Sequence, residues 1–203
     1  EEEWLKSLKG EKGDKGETTT TNAVNKAILS VVSINSYFTK TTSSIGFFGN
    51  NKESKEYGSA GSGVIIGGDK EQGEAYIITN YHVVYDADAD VKISNKIYVY
   101  LYGQELDKYK ISATYIGGSM SYDIAVLKIQ SDVYKESNAH AATIGKSGDM
   151  TVGDSVIAIG NPNAGGIAVT QGILSMESEY ITMTAADNVS TVQIRVMRVD
   201  AAI

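Results

Sequence analysis

The most regular signal in the chain is an alternation of apolar and polar positions with a period of two. Ile97, Val99 and Leu101 alternate with Tyr98, Tyr100 and Tyr102, and Val192, Ile194 and Val196 alternate with Gln193, Arg195 and Met197. Successive side chains of a strand point to opposite faces, so such a run predicts a strand with one buried face. β-Branched runs between glycine or polar clusters predict further strands over 28–34, 63–66, 75–79, 111–116 and 123–129, with 96–102 among them. A second series follows at 155–159, 167–176, 180–184 and 191–199. Helical patterning is confined to 22–27, one short turn capped by Asn22. Many short strands with glycine punctuation and little helix imply an all-β barrel or sandwich.

The polar stretch 131–139 parts the two series of strands, so two small barrels are expected, over 22–135 and 136–203. Residues 1–21 differ in composition. Gly10, Gly13 and Gly16 recur at every third position with charged residues between them, which is the collagen period. Three glycines without proline cannot sustain a triple helix. The stretch reads as a collagen-like Gly-x-x linker, either a charged flexible connector or the stub of a trimerising stalk. Residues 37–60 are expected to form a long polar loop around Phe47 and Phe48, and loops of that length are usually functional or mobile.

Composition removes several classes of chemistry. The 203 residues contain no cysteine, which excludes disulfide scaffolds, thiolate zinc sites and cysteine nucleophiles. A net charge of −7 offers no broad basic surface for nucleic acid or anionic membrane. No apolar run approaches the roughly 20 residues that a transmembrane helix needs. The opening Glu1-Glu2-Glu3-Trp4 has neither an initiator methionine nor the regions of a signal peptide, and the last residues stop inside an apolar stretch. Both ends are expected to be cuts.

The titratable residues divide into one promising pair and several weak signals. His82 ends the run from Ala75 to Tyr81, where a general base would be rigidly held yet open on one side. Asp123 opens another apolar strand. Taken singly, each reads as incidental. Asp86, Asp88 and Asp90 alternate like the start of a calcium loop, but Val91 replaces the required glycine and Ile97 the bidentate Glu, so a solvated loop is expected. Gly61-Ser62-Gly63 precedes a strand and lacks dinucleotide spacing. His140 is expected to be a partnerless loop residue, and two histidines without cysteine do not make a zinc site. No cofactor or metal is expected. The tyrosines at 98, 100, 102 and 109 read as the outer face of a strand.

Context changes the standing of the pair. Gly61-Ser62-Gly63-Val64-Ile65-Ile66 is followed by Ile77-Ile78-Thr79-Asn80-Tyr81-His82-Val83-Val84, then by Tyr122-Asp123-Ile124-Ala125-Val126-Leu127. After these come Val152-Gly153-Asp154-Ser155, the run Val156-Ile157-Ala158-Ile159-Gly160-Asn161-Pro162, then Thr170-Gln171-Gly172-Ile173-Leu174-Ser175 and Asp200-Ala201-Ala202-Ile203. In order and spacing, from about residue 23 onward, this succession resembles the HtrA (Deg) family of trypsin-like serine proteases. The resemblance implies a chymotrypsin/trypsin-like double β-barrel. It also implies that His82 is the general base, that Asp123 is the carboxylate orienting it, and that the region around Phe47-Phe48-Gly49 is part of a regulatory loop. It further implies protein or peptide substrates cut after small aliphatic residues, with Ala202 and Ile203 lining the specificity pocket. An extracytoplasmic place at a bacterial surface or in the secreted fraction follows from it too, as does an association as a homotrimer.

The sequence departs from the family pattern at one point. Asp-Ala-Ala-Ile is followed in the family by a Gly-Asn-Ser-Gly-Gly segment carrying the nucleophile and the oxyanion hole, and these 203 residues end at Ile203. Ser62, Ser119, Ser147 and Ser155 lack a nucleophile's context, and Gly145-Lys146-Ser147-Gly148 is not a nucleophile elbow. The expectation is therefore an incomplete second barrel with open edges, and a fragment that does not cleave peptides by itself. The rival expectation is a catalytically inactive, protease-derived surface binding module on a collagen-like stalk.

Overall fold

In the computed structural model, residues 19–46, 49–162 and 165–202 are described. The Gly-x-x stretch up to residue 18, the pair Phe47-Phe48 and Ile203 lie outside the described residues. The chain enters through helix α1 (Thr19–Ala27) and one 3₁₀ turn (Ile28–Ser30). Six strands follow: β1 (Val31–Gly46), β2 (Gly49–Gly67), β3 (Glu74–Thr79), β4 (Lys96–Leu101), β5 (Ile111–Ser119) and β6 (Ile124–Gln130). They close into an antiparallel barrel in the order β1-β2-β3-β6-β5-β4. Helix α2 (Tyr81–Val84) lies between β3 and β4, and helix α3 (Asp132–Glu136) leaves the barrel. A three-stranded antiparallel sheet of β7 (Ser155–Gly160), β8 (Ala168–Thr184) and β9 (Thr191–Val199) completes the described chain.

The alternating pattern produces the barrel directly. Ile97, Val99 and Leu101 on β4 are at most 2 % exposed, and Ile34, Ile65, Ile77 and Leu127 are wholly buried with them. Full burial of such a side chain contributes about 1.5–3 kcal/mol, so these inward positions fix both the register and the face of every strand. The chain is all-β, with the second sheet not closing into a barrel among the described residues. That sheet holds Leu174 fully buried while Ile173 and Tyr180 stay exposed.

Five expectations need correction. Asn22 lies inside α1 rather than capping it, because the helix already begins at Thr19. Residues 37–46 and 49–60 are not a loop: β1 and β2 pair continuously from Val31↔Val64 to Gly46↔Gly49, forming a ribbon that projects beyond the barrel. Backbone pairing forms it, and side-chain ties to the barrel and to the loop after α2 hold it in place. Phe38, buried and stacked on Tyr57 at 5.9 Å, anchors its base. The first strand begins at Val31, since Ile28–Ser30 is taken up by the 3₁₀ turn. The two strands expected at 167–176 and 180–184 are one strand, β8, bent by register shifts opposite β9. Tyr100 is buried rather than outward, its hydroxyl donating to Asp107 Oδ1 at 3.3 Å where the following loop folds back.

Two contacts tie the chain that leaves the barrel back onto it. Ala142 N donates to Ile65 O at 2.8 Å. The Lys70 ammonium donates to Tyr134 O, to Ser137 Oγ at 3.0 Å and to Ala139 O at 2.8 Å, above the Tyr134 ring. Desolvation there pulls the Lys70 pKa below its ordinary value.

Close packing at the barrel wall yields a paired test. A Cβ at Gly63 would sit 2.7 Å from Ile77 Cγ2 and 2.8 Å from Ile34 Cδ1, whereas one at Gly67 meets open space. Gly63→Ala is expected to destabilise the protein by about 1–3 kcal/mol through overpacking, and Gly67→Ala to leave the melting temperature near wild type. Thermal denaturation of both variants checks this.

Candidate active site

Strand register brings the candidate pair together. β3 and β6 are antiparallel neighbours with Thr79 opposite Ala125. The chain leaving β3 and the chain entering β6 therefore emerge at the same barrel rim, although His82 and Asp123 are 41 residues apart. After Thr79, Asn80 is extended and α2 begins at Tyr81. Val83 and Val84 plug α2 into the barrel end, at 2 % and 0 % exposure. Tyr81 packs against Tyr85 at 5.2 Å and edge-on to Tyr115 at 6.4 Å. With one face of this short helix buried, His82 is turned outward.

Asp123 is placed by an unusual backbone. It follows the 3₁₀ turn Met120–Tyr122 and adopts a left-handed conformation at φ 52° and ψ 44°. That conformation costs a non-glycine residue about 1 kcal/mol, and Asp tolerates it better than most. Its carboxylate is well repaid in hydrogen bonds. Oδ2 lies 2.8 Å from His82 Nδ1, and Oδ1 accepts the His82 backbone N–H at 3.0 Å. Asn80 Nδ2 donates to Oδ2 at 3.0 Å and to the Asp123 carbonyl at 3.3 Å.

This geometry sets the tautomer. A carboxylate only accepts, so His82 must donate from Nδ1, which leaves Nε2 with its lone pair free. The His82 side chain is 60 % exposed and that of Asp123 only 14 %, so the imidazole faces outward while its partner is shielded.

His82 stands between two clefts. One, of about 310 Å³, is walled by Val83, Ala158, Ile159, Ala168 and Ala202, with Ser62 beside them. The other holds Asp86, Asp123, Met120 and Met183, beneath the β8–β9 hairpin. No acidic side chain lines the first cleft among the described residues.

The remaining candidates fall elsewhere. Asp86, Asp88 and Asp90 do not converge on a cation position; among the described residues no cluster suited to a metal occurs. Asp88 and Asp90 fasten the ribbon to the loop after α2. Asp90 Oδ1 and Oδ2 accept the Thr41 N–H at 3.0 Å and the Thr41 hydroxyl at 2.7 Å, and Asp90 N donates to Thr39 O at 2.9 Å. Asp88 pairs with Lys40 at 3.2 Å. His140 is exposed but not partnerless, since its Nδ1 lies 3.1 Å from Ser30 Oγ. The Ser155 hydroxyl lies on β7 and accepts from Gln171 Nε2 at 2.9 Å. Ser62 lines the first cleft. Sequence reading passed over Asn80, for which its place two residues before His82 was the available signal.

The chain is similar to known proteins over most of its length. The trypsin-like peptidase domain family matches residues 61–202. The chain is 38 % identical over 169 residues to the serine protease Do-like HtrA of Lactococcus lactis subsp. cremoris, covering 79 % of this chain and 37 % of that protein. It is 38 % identical over 156 residues to the serine protease Do-like HtrA of Bacillus subtilis, covering 76 % and 30 %. A probable periplasmic serine endoprotease, DegP-like, of Hahella chejuensis is 36 % identical over 138 residues, covering 66 % and 25 %. The chain thus spans between 21 % and 37 % of the length of the curated relatives it matches. Among solved structures, an HtrA-type protease, AlgW with decapeptide, superposes with a TM-score of 0.58 at 29 % identity, covering 92 % of this chain and 52 % of that one.

The ribbon latch has a defined pH dependence. The Thr41 hydroxyl, and then its amide, hold the Asp90 carboxyl below its ordinary value of 3.8. A depressed carboxylate contributes above the unfolded value and is lost as pH falls through the folded one. The Thr41 amide resonance should therefore keep its bonded shift down to pH 3.8 and collapse only below it. In Asp90→Ala the bonded shift should be absent at every pH.

Proposed function

Because the chain belongs to the trypsin-like peptidase family and is HtrA-like, we propose that it carries the general base and orienting carboxylate of a serine endopeptidase. The enzyme hydrolyses peptide bonds in unfolded or misfolded proteins through a Ser-His-Asp acyl-enzyme mechanism. The observation that carries this reading is the His82 Nδ1–Asp123 Oδ2 contact of 2.8 Å, with His82 lining a cleft walled largely by apolar side chains.

On this reading His82 Nε2 takes the proton of a serine hydroxyl as its oxygen attacks the scissile carbonyl carbon. In the family pattern the serine and the oxyanion hole belong to a Gly-Asn-Ser-Gly-Gly segment downstream of Asp-Ala-Ala-Ile, outside these 203 residues. The imidazolium then gives its proton to the leaving amine nitrogen as the carbon–nitrogen bond breaks, and the acyl-enzyme remains. Water repeats the sequence with His82 again as base, releasing the acid and the serine. Asp123 stays ionised throughout, holds the tautomer and stabilises the imidazolium. The base and its orienter come from 22–135, while 136–203 supplies one wall of the cleft.

Substrate preference follows from the first cleft. Its apolar walls are alanine, valine and isoleucine, and its polar lining of Ser62, Asn161 and Thr170 is uncharged, so it suits a small aliphatic side chain and offers a Lys or Arg no counter-charge. The DegP-like relative is named as periplasmic, which supports an extracytoplasmic place for this protein. Among the described residues no helix is long and apolar enough to cross a membrane. A homotrimer rests on the family resemblance.

The test uses the full-length protein. A fluorophosphonate probe should label it, and His82→Ala should abolish labelling. Asp123→Asn should lower kcat by about 10³–10⁴-fold, because the wrong tautomer then faces the serine. Peptides with Ala or Val before the scissile bond should be cut at least about tenfold faster than those with Arg. A full-length protein that neither labels nor hydrolyses would point to the non-catalytic binding module instead.

A further inference from the structure

We propose that Asn80 is a positioning residue for the Asp123–His82 pair, acting as a hydrogen-bond donor that locks the Asp123 carboxylate rather than as a helix cap. The inference deepens the reading of this site as a peptidase centre and rests on it. Asparagine at the N-cap of a helix ordinarily turns its side-chain oxygen back to accept the N–H of the second or third helical residue. Asn80 occupies that position for α2, yet its side chain makes no capping bond.

Both donors that a cap would serve are already engaged. Val83 N donates to the Asn80 carbonyl at 3.2 Å, and His82 N donates to Asp123 Oδ1 at 3.0 Å. The cap of α2 is thus supplied by a carboxylate 41 residues away in sequence. This leaves the Asn80 amide free, and its nitrogen spans the Asp123 carboxylate and carbonyl at 3.0 and 3.3 Å. Both of those oxygens can only accept, so the group that faces them must be the NH₂.

The consequence is a carboxylate held at both ends by one short segment. His82 N fixes Oδ1, while Oδ2 is shared by His82 Nδ1 and Asn80 Nδ2. Rotation of the carboxylate that would break its bond to the imidazole must also break the bond to Asn80. The second tie from Asn80, to the Asp123 carbonyl, braces the left-handed backbone at Asp123. Donors to an ionised group are stronger than neutral pairs, so this small amide is well suited to the task.

Substitution separates the two roles with opposite signs. Asn and Asp are equivalent as caps, whereas Ala is poor. A capping role therefore predicts that Asn80→Asp is silent and that Asn80→Ala lowers the melting temperature with kcat intact. A positioning role predicts the reverse, since Asp places a second carboxylate against Asp123. In the full-length protein, Asn80→Ala should lower kcat about tenfold with KM within about twofold, as expected for losing one bond to a charged group. Asn80→Asp should lose more than Asn80→Ala, and both should melt close to wild type.

A second readout does not depend on turnover. The proton shared by His82 Nδ1 and Asp123 should give a low-field ¹H resonance that His82→Ala removes. It should weaken in Asn80→Ala and disappear in Asn80→Asp. Unchanged kcat and an unchanged resonance in both variants would overturn the role of Asn80. Absence of hydrolysis by the wild type would sink the peptidase reading, and the resonance would still decide whether Asn80 holds Asp123. Should Asn80→Asp fail to fold, Asn80→Ala alone discriminates, through kcat and resonance against melting temperature.

Discussion

The antiparallel pairing of β3 with β6 is the constraint on which the site depends. Once Thr79 lies opposite Ala125, the two chain segments just outside the ladder have to meet at one rim of the barrel. That register is enforced by burial. Ile77, Ala125, Leu127 and Ile129 point inward with at most 1 % exposure, and a slip of one residue would turn all of them to solvent. Closure through the β1–β4 pairing from Val32 to Tyr37 removes the barrel's free edges, so the rim is held from all sides. The site is precise because it hangs from a hydrogen-bond ladder, not from a loop.

Local chemistry at the rim is economical. The Asp123 carboxylate caps α2, orients the imidazole and receives the Asn80 amide at the same time. Its left-handed backbone is the strained element, and the surrounding donors over-determine it. The small residues beside α2 serve the same end. A Cβ at Gly61 would fall 2.6 Å from Val83 Cγ2, and one at Gly118 would meet Ile124 O at 2.5 Å. Glycine at these points lets α2 seat against the barrel with His82 facing out.

Two features link the site to the rest of the molecule. The ribbon of β1 and β2 is fastened by Asp88 and Asp90 to the loop that follows α2, so its base and the histidine helix share one support. As exposed contacts these bonds contribute little stability individually, and their effect is to fix relative position. The Lys70 ammonium joins Tyr134, Ser137 and Ala139 in the segment leading to the second sheet. Through that segment and Ala142, the β7–β8–β9 sheet is brought to where Ala158, Ile159 and Ala202 can wall the cleft beside His82.

Much of this was legible in the sequence because strands carry a period of two and the motifs stand in family order. The alternation at 97–101 and 191–199 located β4 and β9, and His82 and Asp123 were singled out by position within their motifs. What the sequence could not express was pairing without patterning. The 37–60 segment has no apolar alternation, yet 37–46 and 49–60 pair as a ribbon, held by the Phe38–Tyr57 stack and by Asp88 and Asp90, partners that lie elsewhere in the fold. Tyr100 was misplaced because only the fold brings Asp107 and its loop over the ring. The Asp86, Asp88 and Asp90 spacing resembles ligand geometry along the chain, but the tertiary structure supplies Thr41 and Lys40 as partners. Asn80 is the sharpest case. Its sequence position specifies a cap, and only the arrival of Asp123 from a neighbouring strand, with a carboxylate that takes over the cap, turns the amide into a brace. Local sequence determined which residues have the chemistry; strand register, a long-range consequence of burial, decided which of them touch.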